Sequence, residues 1–134
     1  MKVEITDGPI DVGGIINGLR NDECGSILTF QGTVRKYSDD AEVTSLFYEA
    51  YKELAIAEIK KLLDEALERY GIVDATVVHR IGNVNLREDS VVISVCSRHR
   101  SESFEACRFI IDEIKARIPI WKKDIKPDGS QKWH

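Results

Sequence analysis

The sequence holds three cysteines, Cys24, Cys96 and Cys107, widely spaced and without a C-x-x-C pair. That pattern supports neither a disulfide framework nor a zinc site. Two of the three sit among apolar neighbours and read as small buried hydrophobes. Histidine is as scarce, and neither His79, His99 nor His134 is spaced with carboxylates for a metal. There is no glycine-rich phosphate loop and no G-x-S-x-G elbow, so nothing supports nucleotide hydrolysis or a serine hydrolase. Purely apolar runs stop after a few residues, as at Val91-Val92-Ile93, too short to cross a bilayer. The opening Met1-Lys2-Val3-Glu4-Ile5-Thr6-Asp7 lacks the apolar centre of a signal peptide, so the expected location is the cytoplasm. A basic excess is missing too: 19 Lys and Arg face 23 Asp and Glu, a net charge of -4, which argues against a nucleic-acid binder.

What remains is an ordinary folding composition. Of 134 residues 43% are hydrophobic and 31% charged, enough to build one core, and one domain spanning residues 1–134 is expected. A strand at Val3 to Thr6 leads through Gly8-Pro9 to a helix around Ile10 to Leu19, which Gly13 and Gly14 weaken. Gly25 to Arg35 alternates as a strand, Lys36 to Ala41 reads as a charged loop carrying Asp39 and Asp40, and Val43 to Tyr51 is the next strand. Ile56, Ile59, Leu62, Leu63, Ala66, Leu67 and Tyr70 recur at three- and four-residue steps and predict a helix over Lys52 to Tyr70, stopped by Gly71. Strands at Ile72 to Ile81 and Ser90 to Arg98 flank a turn-rich Gly82 to Asp89. A second amphipathic helix runs from about Ser101 to Arg117, closed by Pro119. Ile120 to Ile125 and a segment near Lys132-Trp133 flank the Pro127-Asp128-Gly129 turn. The order implies an α+β fold of two layers with a mostly antiparallel sheet, not a doubly wound one.

Chemistry concentrates in a few cationic places. Arg98-His99-Arg100-Ser101 lies where a strand gives way to a helix, and a helix N-terminus presents free N–H groups and partial positive charge. With two guanidinium groups it suits a phosphate or carboxylate, Ser101 capping the helix and Glu102 and Glu105 meeting its dipole. The bland alternative is a solvated loop whose cations pair with those glutamates. In the second helix Phe104, Cys107, Ile111, Ile114 and Ile118 make one apolar stripe, and Lys115 falls about 20° from Phe104 on its margin. Partial desolvation there would disfavour the charged amine and make it a nucleophile or proton shuttle; the alternative is a lysine that snorkels to water. Alternation in Trp121-Lys122-Lys123-Asp124 puts Lys122 and Asp124 on one face, either a site or a solubility device on an edge strand. Arg35 and Lys36 are loop charges or part of an anion site. His79-Arg80 in an apolar strand reads as structural.

Four segments taken in order narrow this further: Gly25-Ser26-Ile27-Leu28-Thr29-Phe30-Gln31-Gly32-Thr33-Val34-Arg35, Val78-His79-Arg80-Ile81-Gly82, Ser97-Arg98-His99-Arg100-Ser101-Glu102-Ser103-Phe104-Glu105-Ala106, and Lys115-Ala116-Arg117-Ile118-Pro119-Ile120-Trp121-Lys122-Lys123. With these spacings the chain, from about Met1 to Trp133, resembles the large, catalytic subunit of molybdopterin synthase. The resemblance implies an α/β-hammerhead fold with a small additional antiparallel sheet. It implies a sulfurtransferase that converts cyclic pyranopterin monophosphate into molybdopterin by adding the two dithiolene sulfurs. The sulfur arrives as a thiocarboxylate on the C-terminal Gly-Gly of a small ubiquitin-like subunit. The implied assembly is a heterotetramer around a dimer of large subunits, with sites drawn from both halves, no metal and no cofactor. Arg35, His99 and Arg100 would hold the substrate's phosphate and pterin, and Lys115 and Lys122 would bind and do the chemistry. Family members often continue with a further basic stretch, whose charge Lys126 or Lys132 would supply here. A scaffold of the same fold that only binds a phosphopterin or nucleotide is the alternative, and two lysines beside the arginines favour catalysis over it.

Overall fold

The computed structural model describes residues 1–38 and 41–134. Along the chain run β1 (Lys2–Thr6), α1 (Val12–Leu19), β2 (Ser26–Thr33), β3 (Tyr37–Ser38), β4 (Ala41–Glu42), β5 (Ser45–Ala50), α2 (Lys52–Tyr70), β6 (Asp74–Arg80), β7 (Gly82–Asn85), β8 (Asp89–Ser97), α3 (Arg100–Arg117), β9 (Ile120–Ile125) and β10 (Gln131–Trp133). Three helices over largely antiparallel sheets make this an α+β fold, as the sequence implied.

The main sheet has the order β1-β6-β8-β2, antiparallel except for the β1–β6 pair. Helices α2 and α3 lie side by side on one face. α2 lies on the β1 side and α3 over β8 and β2, because their apolar stripes need a common surface to bury. The core between them holds Ile59, Leu62, Leu63, Ala66, Val77, Ile93, Val95 and Ile110, all without solvent exposure. α2 stops where predicted: Gly71 takes a left-handed φ of 67° and its amide bonds back to the Leu67 carbonyl at 2.9 Å. α1 lies on the opposite face, with Asp11 accepting from the Gly14 amide at 3.1 Å as its cap.

The second sheet, β10-β9-β5-β7, is antiparallel throughout. The segment from Gly82 to Asp89, expected as turns, contributes β7, because pairing with β5 outweighs the weak strand preference of Gly and Asn. β9 is flanked on both sides, by β5 and β10, so of the two alternatives for Lys122 and Asp124 the solubility device on an edge strand fails. The expected charged loop is in its described part a two-stranded ribbon, Tyr37 opposite Glu42 and Ser38 opposite Ala41. Asp39 and Asp40 lie outside the described residues. Beneath this sheet sits a small apolar cluster of Val34, Leu46 and Val84, with Tyr48 and Leu86 against it.

Candidate active site

β2 and β8 run antiparallel, Ser26 opposite Ser97 and Thr33 opposite Asp89. α3 leaves the Ser97 end of β8 and returns over the same two strands, so its last turn lies at the Thr33 end. That topology sorts the expected site residues into two groups. Arg35, just past β2, and Lys115, in the last turn of α3, share one end of the main sheet. Lys122 follows two residues into β9, registered opposite Tyr48, and Arg35 follows Val34, so both border the small apolar cluster. His99 and Arg100 begin α3 at the other end, about 22 Å away from Lys115 along the helix axis. One chain therefore brings Arg35, Lys115 and Lys122 together and holds His99 and Arg100 apart from them.

All five side chains are exposed. Among the described residues no carboxylate lies within ion-pair distance of Arg35, Arg98, Arg100, Lys115 or Lys122. The cations are thus free for an anionic ligand, and the reading in which Arg98 and Arg100 pair with Glu102 and Glu105 fails. Glu102 instead turns back to accept from the His99 amide at 3.2 Å. The cap of α3 is therefore His99, not Ser101, and the helix starts at Arg100. Ser97 Oγ donates to the His99 carbonyl at 2.5 Å, and Gly25 lies so close to this turn that a Cβ there would stand 2.7 Å from the Arg98 carbonyl oxygen.

The apolar stripe of α3 differs from expectation. Ser103, Ala106, Cys107, Ile110 and Ile114 are buried, which rotates the buried face by about 60° from the predicted one and leaves Phe104 59% exposed. Ser103 faces inward because its hydroxyl meets that of Ser97 at 2.5 Å, a polar pair the apolar periodicity hides. Lys115 consequently stands in solvent, and the desolvation expected for it is not supplied by this chain alone.

Lys122 has a neighbour that sequence reasoning undervalued. Asp124, two residues on and on the same face, is 2% exposed; its Oδ2 accepts from His134 Nε2 at 2.8 Å and its Oδ1 has no partner among the described residues. Tyr48 completes this buried polar patch, its phenol pushed above the ordinary range by burial while a hydrogen bond with Ser90 partly offsets the effect. Tyr48 also meets His79 edge to face at 5.0 Å. His79 is structural as read: Nδ1 donates to the Arg80 carbonyl at 2.7 Å and burial lowers its pKa to about 4. Arg80, 8% exposed, reaches Glu88 at 3.3 Å and the Asn83 carbonyl at 3.2 Å. Cys96 and Cys107 are buried, their thiols pushed up to about 12 and about 11 chiefly by desolvation. A groove of about 520 Å³ between α1 and the β1–β6 edge is lined by none of the expected site residues.

The model of the family described as "MoaE protein" matches residues 5–117. The chain is 58% identical over 132 residues to the molybdopterin synthase catalytic subunit of Thermoplasma volcanium, which covers 98% of this chain and 96% of that one. The subunit of the same name from Bacillus subtilis is 39% identical over 130 residues, 97% of this chain and 83% of that one. A chain from the crystal structure of molybdopterin synthase from Staphylococcus aureus superimposes with a TM-score of 0.92 at 33% identity, covering 98% of this chain and 95% of that one. The chain belongs to the MoaE family of molybdopterin synthase catalytic subunits.

Proposed function

We propose that this chain, acting in the cytoplasm as one unit from residue 1 to 134, is a sulfurtransferase. It moves sulfur from the C-terminal Gly-Gly thiocarboxylate of a small ubiquitin-like subunit to cyclic pyranopterin monophosphate, forming the dithiolene of molybdopterin. Membership of a family named for its catalytic subunit supports this, since a catalytic subunit works with a second one. One observation carries it: Arg35 and Lys122, at one small apolar cluster, and Lys115, at the same end of the main sheet as Arg35, are three cations without carboxylate partners among the described residues.

A phosphate and a thiocarboxylate are both anions, and bringing them together in water is opposed by their repulsion and by solvation. Arg35, with His99 and Arg100 from the second copy of a homodimer, holds the phosphate and fixes the pterin's orientation. Lys115 and Lys122 flank the acyl carbon: once the thiocarboxylate sulfur has bonded to a substrate carbon, attack of water on the resulting thioester concentrates negative charge on its oxygen. A preorganised ammonium stabilises that charge, and the same amines move protons as the acyl–sulfur bond breaks. A deprotonated amine there can take the place of water, forming an amide with the acyl group as the carbon–sulfur bond breaks and the sulfur stays on the substrate, and water then releases the acyl group as a carboxylate. The assembly is a heterotetramer, one small subunit to each large one.

Replacing Lys115 with alanine should lower the rate of dithiolene formation by about 10²- to 10³-fold, the loss seen when one preorganised oxyanion donor is removed. The side chain is exposed, so the melting temperature should not move. The assay supplies thiocarboxylated partner and the cyclic precursor; a Lys115→Ala variant with near-normal turnover would end the catalytic assignment.

A further inference from the structure

Two cysteines far apart in the chain meet in the fold. Cys24 lies in the connection between α1 and β2. Cys96 lies near the end of β8, and alternation with Ile93 and Val95 of the main core puts it on the sheet face that α1 covers. A side-chain hydrogen bond joins the two thiols. Asn21 holds both ends of this contact: its Nδ2 donates to Cys96 Sγ at 3.8 Å, and its carbonyl accepts from the Cys24 amide at 3.3 Å. Its Oδ1 accepts from the Glu23 amide at 2.9 Å and so sets the turn between them. Cys96 has no solvent exposure, whereas Cys24 is half-buried and borders a groove of about 360 Å³ with Arg20, Ser26 and Thr29 in its walls. An inert core cysteine needs neither a second thiol against it nor a route from solvent, and this pair has both. Neither thiol has a part in the proposed sulfur transfer.

The geometry points to a redox-sensitive clasp: Cys24 and Cys96 close reversibly into a disulfide that ties the start of β2 to the end of β8. The oxidant is a small-molecule disulfide, RSSR. The Cys24 thiol gives its proton to solvent and the thiolate attacks one sulfur of RSSR; that S–S bond breaks and the first RS⁻ leaves and takes up a proton. Cys96, deprotonated in turn, attacks the Cys24 sulfur, the mixed disulfide breaks, and the second RS⁻ leaves in the same way. Two protein thiols lose two electrons and two protons, and one RSSR becomes two RSH. The order follows from access, since solvent reaches Cys24, and from acidity, since burial pushes the Cys96 thiol up to about 12. Drawing the sulfurs together to the roughly 2.05 Å of an S–S bond needs a small shift, and the connection at residues 20–25, outside any helix or strand, supplies it. The clasp acts on one place. Cys96 stands two residues before Arg98, and Gly25, next to Cys24, abuts the Arg98 carbonyl. Closing the bond therefore anchors the root of the turn that carries Arg98, His99 and Arg100. It also closes a loop of about 70 residues in the unfolded chain.

The test adds oxidised glutathione to the folded chain near pH 8.5, where an ordinary thiol is about half ionised, and maps the product by peptide mass. The expected product has lost two hydrogens, carries a Cys24–Cys96 link and reverts with dithiothreitol. It should melt about 10 °C above the reduced chain. Glutathione left on Cys24, two chains joined through Cys24, or no reaction overturns the clasp. Cys24→Ser, a change outside the core, should show no internal link and no rise in melting temperature; a rise in the same oxidant overturns the assignment. Backbone amides of residues 97–100 should exchange with heavy water at least about tenfold more slowly in the oxidised chain. Equal rates overturn the action of the clasp on the turn.

Discussion

Among the described residues, the sheet under α2 and α3 rests on seventeen buried apolar side chains, whereas the sheet that carries Lys122 rests on three. The first is packed for stability, with aliphatic residues at most facing positions. The second keeps a buried carboxylate, a half-buried phenol and a cation around a minimal apolar cluster, an arrangement that gives up packing energy to hold polar groups in place. The difference suits two jobs: one sheet keeps the chain folded, and the junction between the sheets would position the chemistry proposed for Lys122 and Arg35.

Four changes would sharpen or break that division. Leu62→Ala in the main core should cost about 4 kcal/mol in a denaturation titration, since the side chain has no exposure and its cavity cannot collapse. Its sulfur transfer should track the folded fraction. Acid should reveal the next largest effect. His79 is held neutral with a pKa of about 4 against 6.5 unfolded, so the unfolded chain binds the extra proton between those values. Stability should be full above pH 6.5 and fall by about 3 kcal/mol as the pH drops toward 4; His79→Gln should flatten that window in pH-dependent melting. Leu46→Ala in the small cluster should cost about 2 kcal/mol, yet lower turnover about tenfold at full folding, because Lys122 and Arg35 lose their support. A loss of turnover from Leu62→Ala as large as from Leu46→Ala, at equal folding, would break the division. Smallest, Gly71→Ala should cost about 1 kcal/mol for its left-handed φ and leave turnover untouched.

Much of this was legible in the residues. The periodicity of α2 and its closing Gly71 marked that helix to the residue, and Pro119 marked the end of α3. The stripe of α3 was misread because Phe104 and Ile111 are more apolar than Ser103 and Ala106, while burial is settled by where β8 and α2 lie and by the Ser97–Ser103 hydroxyl pair. β7 was missed because Gly82-Asn83-Val84-Asn85 has local signals for turning, and only its distant pairing with β5 makes it a strand. Lys122 and Asp124 looked like surface ornaments since nothing local announces that β10 will cover β9. The cations themselves stood out as residue types, but their separation into two groups is set by the antiparallel return of α3, a property of topology and not of any segment.

The closeness of Gly25 to the Arg98 carbonyl has an outcome for the aim of the arginines. A single methyl at that point would wedge the strand start away from the turn and swing the guanidinium groups outward. If His99 and Arg100 hold the phosphate as proposed, the reach of that grip is tuned by an atom that is missing, and Gly25→Ala should loosen substrate capture while the fold and the lysines stay as they are.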